Sequence, residues 1–303
     1  MMKINIRKTC LILLTLFMFG TYTQSICQET VEERLDRVEA KLDSVLSIFK
    51  AQIEKEPANK TIIDTLNLLY GITSPIGTVL DKGYFVIDYN NDWKIPYWVA
   101  YYLSSSNLQG NTSRTNDFRP DPQLPIVSRA ELNDYINSGY DRGHNAPAAA
   151  FKRSKKAMST TFLLSNMSPQ TPKLNRFIWK KLEKQVRELV MKKWQAWIIT
   201  GNVFLNSDSQ FVCPKEFIGD DDKHNVAVPT HCFKVILTTG KNGKFSMYAF
   251  ILPNQKNDID GTLMDYLITV DHLEKITHYD FFPNLDDSIE NDLESIIPKT
   301  WPK

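Results

Sequence analysis

Residues 174–194 place apolar side chains at Ile178, Leu182, Val186 and Leu189, the spacing of a helix buried along one side. A second row, Asn175, Trp179, Glu183 and Arg187, runs beside the first, rotated by roughly 100° at the helix period. Lysines at 180, 181, 184, 192 and 193 take much of the remaining surface. Such a helix needs an apolar partner. It also carries an amide, a carboxylate and a guanidinium along the border of its buried face, where they can line a cleft.

The partner is a sheet. Residues 84–89 and 97–103 are aromatic and β-branched, with Asn90-Asn91-Asp92 turning between them. Residues 161–164, 197–200, 226–237 and 245–252 read as further strands. Gly240-Lys241-Asn242-Gly243 joins the last two, and its Asn-Gly is a strong hairpin signal. Asp271-His272-Leu273-Glu274 has the form of a capping box opening a helix. The pattern predicts an α+β fold with a mixed, mainly antiparallel central sheet. Trp93, Trp98, Tyr101 and Tyr102 are able to stack on bases, but core packing is the commoner fate of such rings.

The chemistry concentrates in Tyr140-Asp141-Arg142-Gly143-His144-Asn145-Ala146-Pro147. Imidazole accepts a proton near neutral pH, so His144 is a candidate general base. The Arg142 fork matches phosphate geometry, and Gly143 permits close backbone approach or a sharp turn. Alone, the stretch also reads as a surface turn with a stray histidine. A second cluster changes the weighting: Leu164-Ser165-Asn166-Met167-Ser168-Pro169-Gln170, followed by Leu174-Asn175-Arg176-Phe177-Ile178-Trp179-Lys180-Lys181-Leu182-Glu183.

Together the two clusters resemble the DNA/RNA non-specific endonuclease family. These are ββα-metal (His-Me finger) nucleases that include secreted bacterial enzymes and mitochondrial endonuclease G. The resemblance runs from about residue 84 to about residue 282. It implies a ββα-metal site with a long catalytic helix, acting on DNA and RNA with little sequence preference. In that family the residue matching Asn175 is the direct ligand of Mg2+, for which Mn2+ or another divalent cation substitutes, and the glutamate matching Glu183 supports the ion. His144 is then the general base and Arg142 a phosphate ligand. Asn166 and Arg187 match positions that hold the site together and contact phosphate or the glutamate. Asp141 orients the turn. The polar loop 104–125 carries Arg114 and Arg119. Arg114 is the better match to a phosphate-binding arginine, although a solvated loop arginine fits the position equally. The family often has a hydrophobic residue or glutamine where this chain has Asn145. An alternative reading is a catalytically inactive nucleic-acid-binding or assembly protein on the same scaffold.

The ends of the chain carry other signals. Lys3, Arg7 and Lys8 precede an apolar run over residues 10–19, too short to span a bilayer and patterned like a secretory signal. Cleavage after Ser25-Ile26-Cys27 would leave a mature chain with no membrane span, periplasmic or secreted. A retained anchor or lipidation at Cys27 fits less well. Loss of residues 1–27 removes three bases and no acids, leaving the mature chain near −2, so nucleic-acid contact must come from local basic patches. One is the run Lys152-Arg153-Ser154-Lys155-Lys156, a phosphate track or a solvated face. Cys213 and Cys232 are expected to bridge outside the cytoplasm. Zinc with His224 and His231 lacks the right spacing. Residues 28–59 form a separate segment before a domain over 60–303. Within it Val31, Leu35, Val38, Leu42, Val45 and Phe49 repeat in alternating steps of four and three. That is the seam of a coiled coil and predicts a homo-oligomer through residues 30–56. A single helix lying on its own domain has the same amphipathicity. Glu56-Pro57-Ala58-Asn59 ends the segment.

Overall fold

The computed structural model describes residues 66–301 apart from 73–75, 220–224, 241 and 300. The leader, the heptad segment, the linker and His224 lie outside the described residues. Seven antiparallel strands form one sheet in the order β1-β2-β3-β6-β9-β10-β11. They are β1 (Thr78–Asp81), β2 (Val86–Asn90), β3 (Ile95–Ser104), β6 (Gln195–Val203), β9 (His231–Thr239), β10 (Phe245–Pro253) and β11 (Leu267–Ile268). Every pairing in this sheet is antiparallel. Two small ribbons stand apart from it: β4 (Asp141–His144) with β5 (Met167–Gln170), and β7 (Phe217–Ile218) with β8 (Val226–Ala227). Helices α1 (Leu132–Tyr135) and α2 (Lys155–Thr160) are short, α3 (Lys180–Lys193) is the long one, and α4 (Val270–Thr277) and α5 (Asp287–Glu294) follow the sheet.

The sheet is covered on both faces, so its strands are apolar on both sides. Val99, Tyr101 and Leu103 of β3, Ala196 and Ile198 of β6, and Ile236 of β9 face a core that includes Leu182, Val186 and Leu189 of α3. Their neighbours Trp98, Ala100, Trp197, Ile199, Val235 and Leu237 face the other core, with Val270 and Leu273 of α4. The predicted apolar row of the long helix is the row that is buried. Trp98 and Tyr101 are core residues and Trp93 and Tyr102 pack at core edges, so none of the four is a free stacking platform.

Several local expectations are corrected. Residues 161–164 do not make a strand. Thr161 and Phe162 turn, Leu163 makes one parallel bridge to Arg119, and Leu164–Asn166 is a 3₁₀ turn, because Asn166 draws the Thr161 carbonyl into a side-chain hydrogen bond. The strand of that region is β5. The capping residue of α4 is Thr269, whose hydroxyl accepts the His272 amide at 3.1 Å, two residues before the predicted box. The predicted Cys213–Cys232 bridge does not form. Cys232 is free and lies on the inward face of β9, where its Sγ accepts from Gln170 Nε2 at 3.5 Å.

Candidate active site

The β4–β5 ribbon and the start of the long helix assemble the site. In the ribbon His144 pairs with Met167, Gly143 with Ser168, Arg142 with Pro169 and Asp141 with Gln170. The ribbon requires Gly143: a Cβ there would stand 2.3 Å from the buried Gln170 side chain. After β5 the chain enters a π-helical turn, Leu174–Trp179, before α3 begins. Such i→i+5 turns shift the side-chain register within a helix and recur at functional sites.

Asn166 is fully buried and spends its side chain on backbone. Its Nδ2 donates to the Ala146 and Thr161 carbonyls at 3.0 and 2.9 Å, and its Oδ1 accepts the Ala146 amide at 2.9 Å. Asn145 adds to the clamp, donating through Nδ2 to the Asn166 carbonyl and Ser168 Oγ. These bonds fix the chain immediately after His144. Asn166 therefore positions the histidine, and none of its side-chain polar atoms is left over for phosphate.

His144 itself is 7% exposed. Its ring meets Phe118 at 5.6 Å and Phe162 at 4.9 Å between centroids. Each of those phenylalanines carries a guanidinium on its face, Arg142 at 4.2 Å over Phe118 and Arg114 at 4.8 Å over Phe162. Burial first, then the charges of Arg114 and Arg142, push the imidazole down from 6.5 to about 3. The ring is therefore neutral across the physiological range. Its Nε2 is buried without a hydrogen-bond partner. The loop holds the two candidate arginines differently. Arg119 is committed to Asp117 and the Ser159 carbonyl, whereas the charge of Arg114 bears on both His144 and Glu183.

Asn175 is held by one end only. Its Nδ2 donates to Asp141 Oδ2 at 2.9 Å, and the same carboxylate receives Arg176 Nε and Nη2 at 2.8 and 2.6 Å. Arg176 and Asn175 together hold the Asp141 carboxyl below the usual carboxylate range. The amide is thereby oriented, and Asn175 Oδ1 makes no hydrogen bond among the described residues. Glu183 makes no hydrogen bond or ion pair there either. Burial pushes its carboxyl up, and Lys234, Arg187, Arg114 and Lys180 pull it back. Arg187 presents a buried Nη1 without a partner. It also lines a groove of about 410 Å³ with Lys152, Lys184 and Lys192.

Lys234 and the Phe118–Phe162 pair are additions that sequence reasoning missed. Lys234 is fully buried. Its Nζ bonds Thr200 Oγ1, lies 3.4 Å from the Tyr101 hydroxyl and stands 5.0 Å over the Trp179 ring. Burial pushes this ammonium down to about 8. A signal was present: a lysine in the apolar run Cys232–Leu237, at the same inward parity as Cys232 and Ile236.

The donor set suits a hard divalent cation. An unspent amide oxygen and a carboxylate among cations are the few protein oxygens that magnesium takes, the rest of its shell being water.

Comparison with known proteins places the chain in a family. The model of the DNA/RNA non-specific endonuclease family matches residues 65–288. A nuclease of Syncephalastrum racemosum is 36% identical over 237 residues, 75% of this chain and 74% of that protein. The mitochondrial nuclease EXOG of Danio rerio is 36% identical over 214 residues, 69% of this chain, and the chain spans 62% of its length. The solved structure titled "Crystal structure of the EndoG/EndoGI complex: Mechanism of EndoG inhibition" superposes with a TM-score of 0.68 at 29% identity, over 76% of this chain and 95% of that one. With its sheet, its β4–β5 ribbon and its long helix, the chain belongs to the DNA/RNA non-specific endonuclease family of metal-dependent nucleases.

Proposed function

We propose that this nuclease hydrolyses phosphodiester bonds of both DNA and RNA, with His144 as general base and Mg2+ held through Asn175 Oδ1 with Glu183 in support. Mn2+ or another divalent cation would serve in its place. The observation that carries the reading is a neutral imidazole with an unpartnered Nε2, set between two guanidiniums. A neutral ring is the form able to take a proton from water. Arg142 and Arg114 bind the scissile phosphate, and its negative charge offsets the two charges that depress the imidazole. His144 then accepts the proton as the water oxygen adds to phosphorus. The bond to the leaving oxygen breaks, and that oxygen takes a proton from solvent. A cation held through Asn175 Oδ1 and Glu183 would supply charge neutralisation at the phosphate and the leaving oxygen. Asp141 keeps the Asn175 amide turned so that its oxygen stays available. Asn166 keeps His144 from rotating away.

Phosphate ligands carry no base information, which favours weak sequence preference. The groove beyond Arg187, with Lys152, Lys184 and Lys192, extends the phosphate track along the strand. The uncommitted His144, Asn175 and Glu183 also argue against an inactive scaffold, because none of their reactive atoms is spent on folding. Asn175→Ala is expected to raise the magnesium needed for half-maximal cleavage of a plasmid, and Glu183→Ala to raise it less. Unchanged half-saturation in both variants would remove them from the metal site.

Two further proposals rest on the sequence outside the described residues. The basic and apolar leader supports export, with the mature chain beginning at Gln28; N-terminal sequencing of the enzyme recovered outside the cytoplasm is expected to start there. The heptad seam supports a homo-oligomer through residues 30–56. Burying a Leu or Val side chain contributes roughly 1.5–3 kcal/mol, which a lone helix in water does not gain. Light scattering of the mature chain is expected to give a multimer, and a smaller species after deletion through Glu56. A monomer at micromolar concentration with the segment intact would reject the oligomer.

A further inference from the structure

Behind the sheet, on the face away from α3, α4 and α5 pack against the second core and against each other. The two helices carry facing acids. Asp271 and Glu274 are three apart on α4, and Glu290 and Glu294 are four apart on α5, so each pair shares one helix face. Like charges at that spacing are unfavourable on an isolated helix. One carboxylate oxygen each from Asp271, Glu274 and Glu294 lie within 4.8 Å of one another.

A crowd of surface acids means little by itself, but Glu294 is not at the surface. It is 7% exposed, and its Oε1 is buried without a hydrogen-bond partner. Glu290 Oε1 is also buried and unpartnered. The charges bearing on Glu294 are Glu274, Glu290, Asp271 and Asp280, all negative. Burial and that company push Glu294 up to about 8 and Glu274 to about 7. A buried carboxylate without a partner is costly to keep charged. Glu274 is oriented as well, since its Oε1 accepts the Phe281 amide at 2.8 Å. Nothing in the hydrolytic site accounts for this arrangement, because the sheet lies between the two.

We infer that Asp271, Glu274 and Glu294 form a calcium site that clamps α4 to α5. Three oxygens of hard carboxylates select a hard cation. Ligand number favours calcium: it takes about six to eight oxygens, carboxylates among them, in flexible geometry, whereas Mg2+ is usually held by one or two carboxylates and keeps several waters. Glu294 supplies the buried floor, Glu274 the oriented wall, and exposed Asp271 the mouth through which the ion enters. Water completes the shell on the Asp271 side. The ion would tie the C-terminal helices to the back of β10 without touching the nucleolytic residues.

The test uses the full mature chain stripped with chelator, and calcium chloride as the probe. Equilibrium dialysis is expected to find an ion retained by the wild type and by Asn175→Ala alike. In Glu294→Gln its affinity falls by about tenfold or more, as expected for losing one of three charged ligands. Calcium at about 10 mM is expected to raise the melting temperature of wild type and Asn175→Ala, and to leave Glu294→Gln unmoved. Magnesium-dependent cleavage by Glu294→Gln stays at the wild-type level. Should that variant fail to fold, Asp271→Asn, at an exposed position, gives the same loss of calcium affinity. Equal calcium uptake by wild type and both variants would overturn the proposal. So would uptake that disappears with Asn175→Ala, or a Glu294→Gln protein as stable without calcium as the wild type is with it, the mark of carboxyls that hold protons instead. Failure of cleavage in the Asn175 variants bears on the hydrolytic reading alone.

Discussion

His144→Ala is expected to lower plasmid cleavage by about 10²–10⁴, the range for loss of a general base, while the protein still folds. The size of the effect follows from how the residue is held. The groups that these contacts place beside it among the described residues, Phe118, Phe162 and two guanidiniums, offer no substitute base. Folding survives because the ribbon is secured by Asn166 and by the β4–β5 pairing, neither of which uses the imidazole. The apo enzyme offers a companion measurement. The ring is expected to stay neutral in an NMR titration well below pH 6.5, since burial and two positive charges oppose its protonation. A folded-state value depressed below the unfolded one means that this residue's contribution to stability is present above about 6.5 and is lost as pH falls toward the folded value. If the alanine variant keeps more than about a tenth of wild-type activity, another group takes the proton.

Lys234→Met is expected to raise the magnesium required for cleavage and to lower the melting temperature, because Thr200 Oγ1 loses its buried partner and Glu183 loses a neighbouring positive charge. Lys234 is the first of the charges that oppose the burial penalty on Glu183. Without the ammonium, the carboxyl shifts further up, toward its protonated form. A protonated Glu183 is a poor support for a cation. Raising the pH is therefore expected to restore part of the variant's magnesium affinity, because the proton leaves Glu183 again. A residue needed only for packing would lower stability without that pH-dependent recovery. Methionine matches the length of the lysine stem, so the cavity term stays small. Coincident magnesium curves for variant and wild type at each pH would limit Lys234 to a structural role.

Much of the site was legible because its chemistry is local. Asp141, Arg142 and His144 are consecutive or nearly so, and Asn175 and Glu183 lie on one helical segment, so composition and spacing bring them forward before any folding is considered. The helix likewise announced its buried row, since a 3.6-residue period is a property of the chain itself. The strands at 84–89 and 97–103 were visible for the same reason, each beginning or ending within two residues of β2 and β3. The run at 161–164 misled because Thr161 and three apolar residues in a row fit a buried turn as well as a strand, and only the Asn166 hydrogen bonds decide between them.

What the chain by itself determined is the kind of fold and the residues able to react; tertiary structure alone decided how those residues are poised. The Asp141–Asn175 bond links positions 34 apart and leaves one amide oxygen unspent. Phe118 and Phe162 become supports for Arg142 and Arg114 only when a loop and a turn close around His144. Lys234 sits 51 residues beyond Glu183 and reaches it because β9 runs beneath the helix. The cysteines make the same point, since Cys232 looked available for a bridge and is instead sealed against Gln170. Periodicity and residue type are written into a few neighbouring positions, whereas burial, charge pairing and unspent hydrogen bonds depend on segments meeting across the fold, and those meetings set the protonation of His144, Glu183 and Lys234.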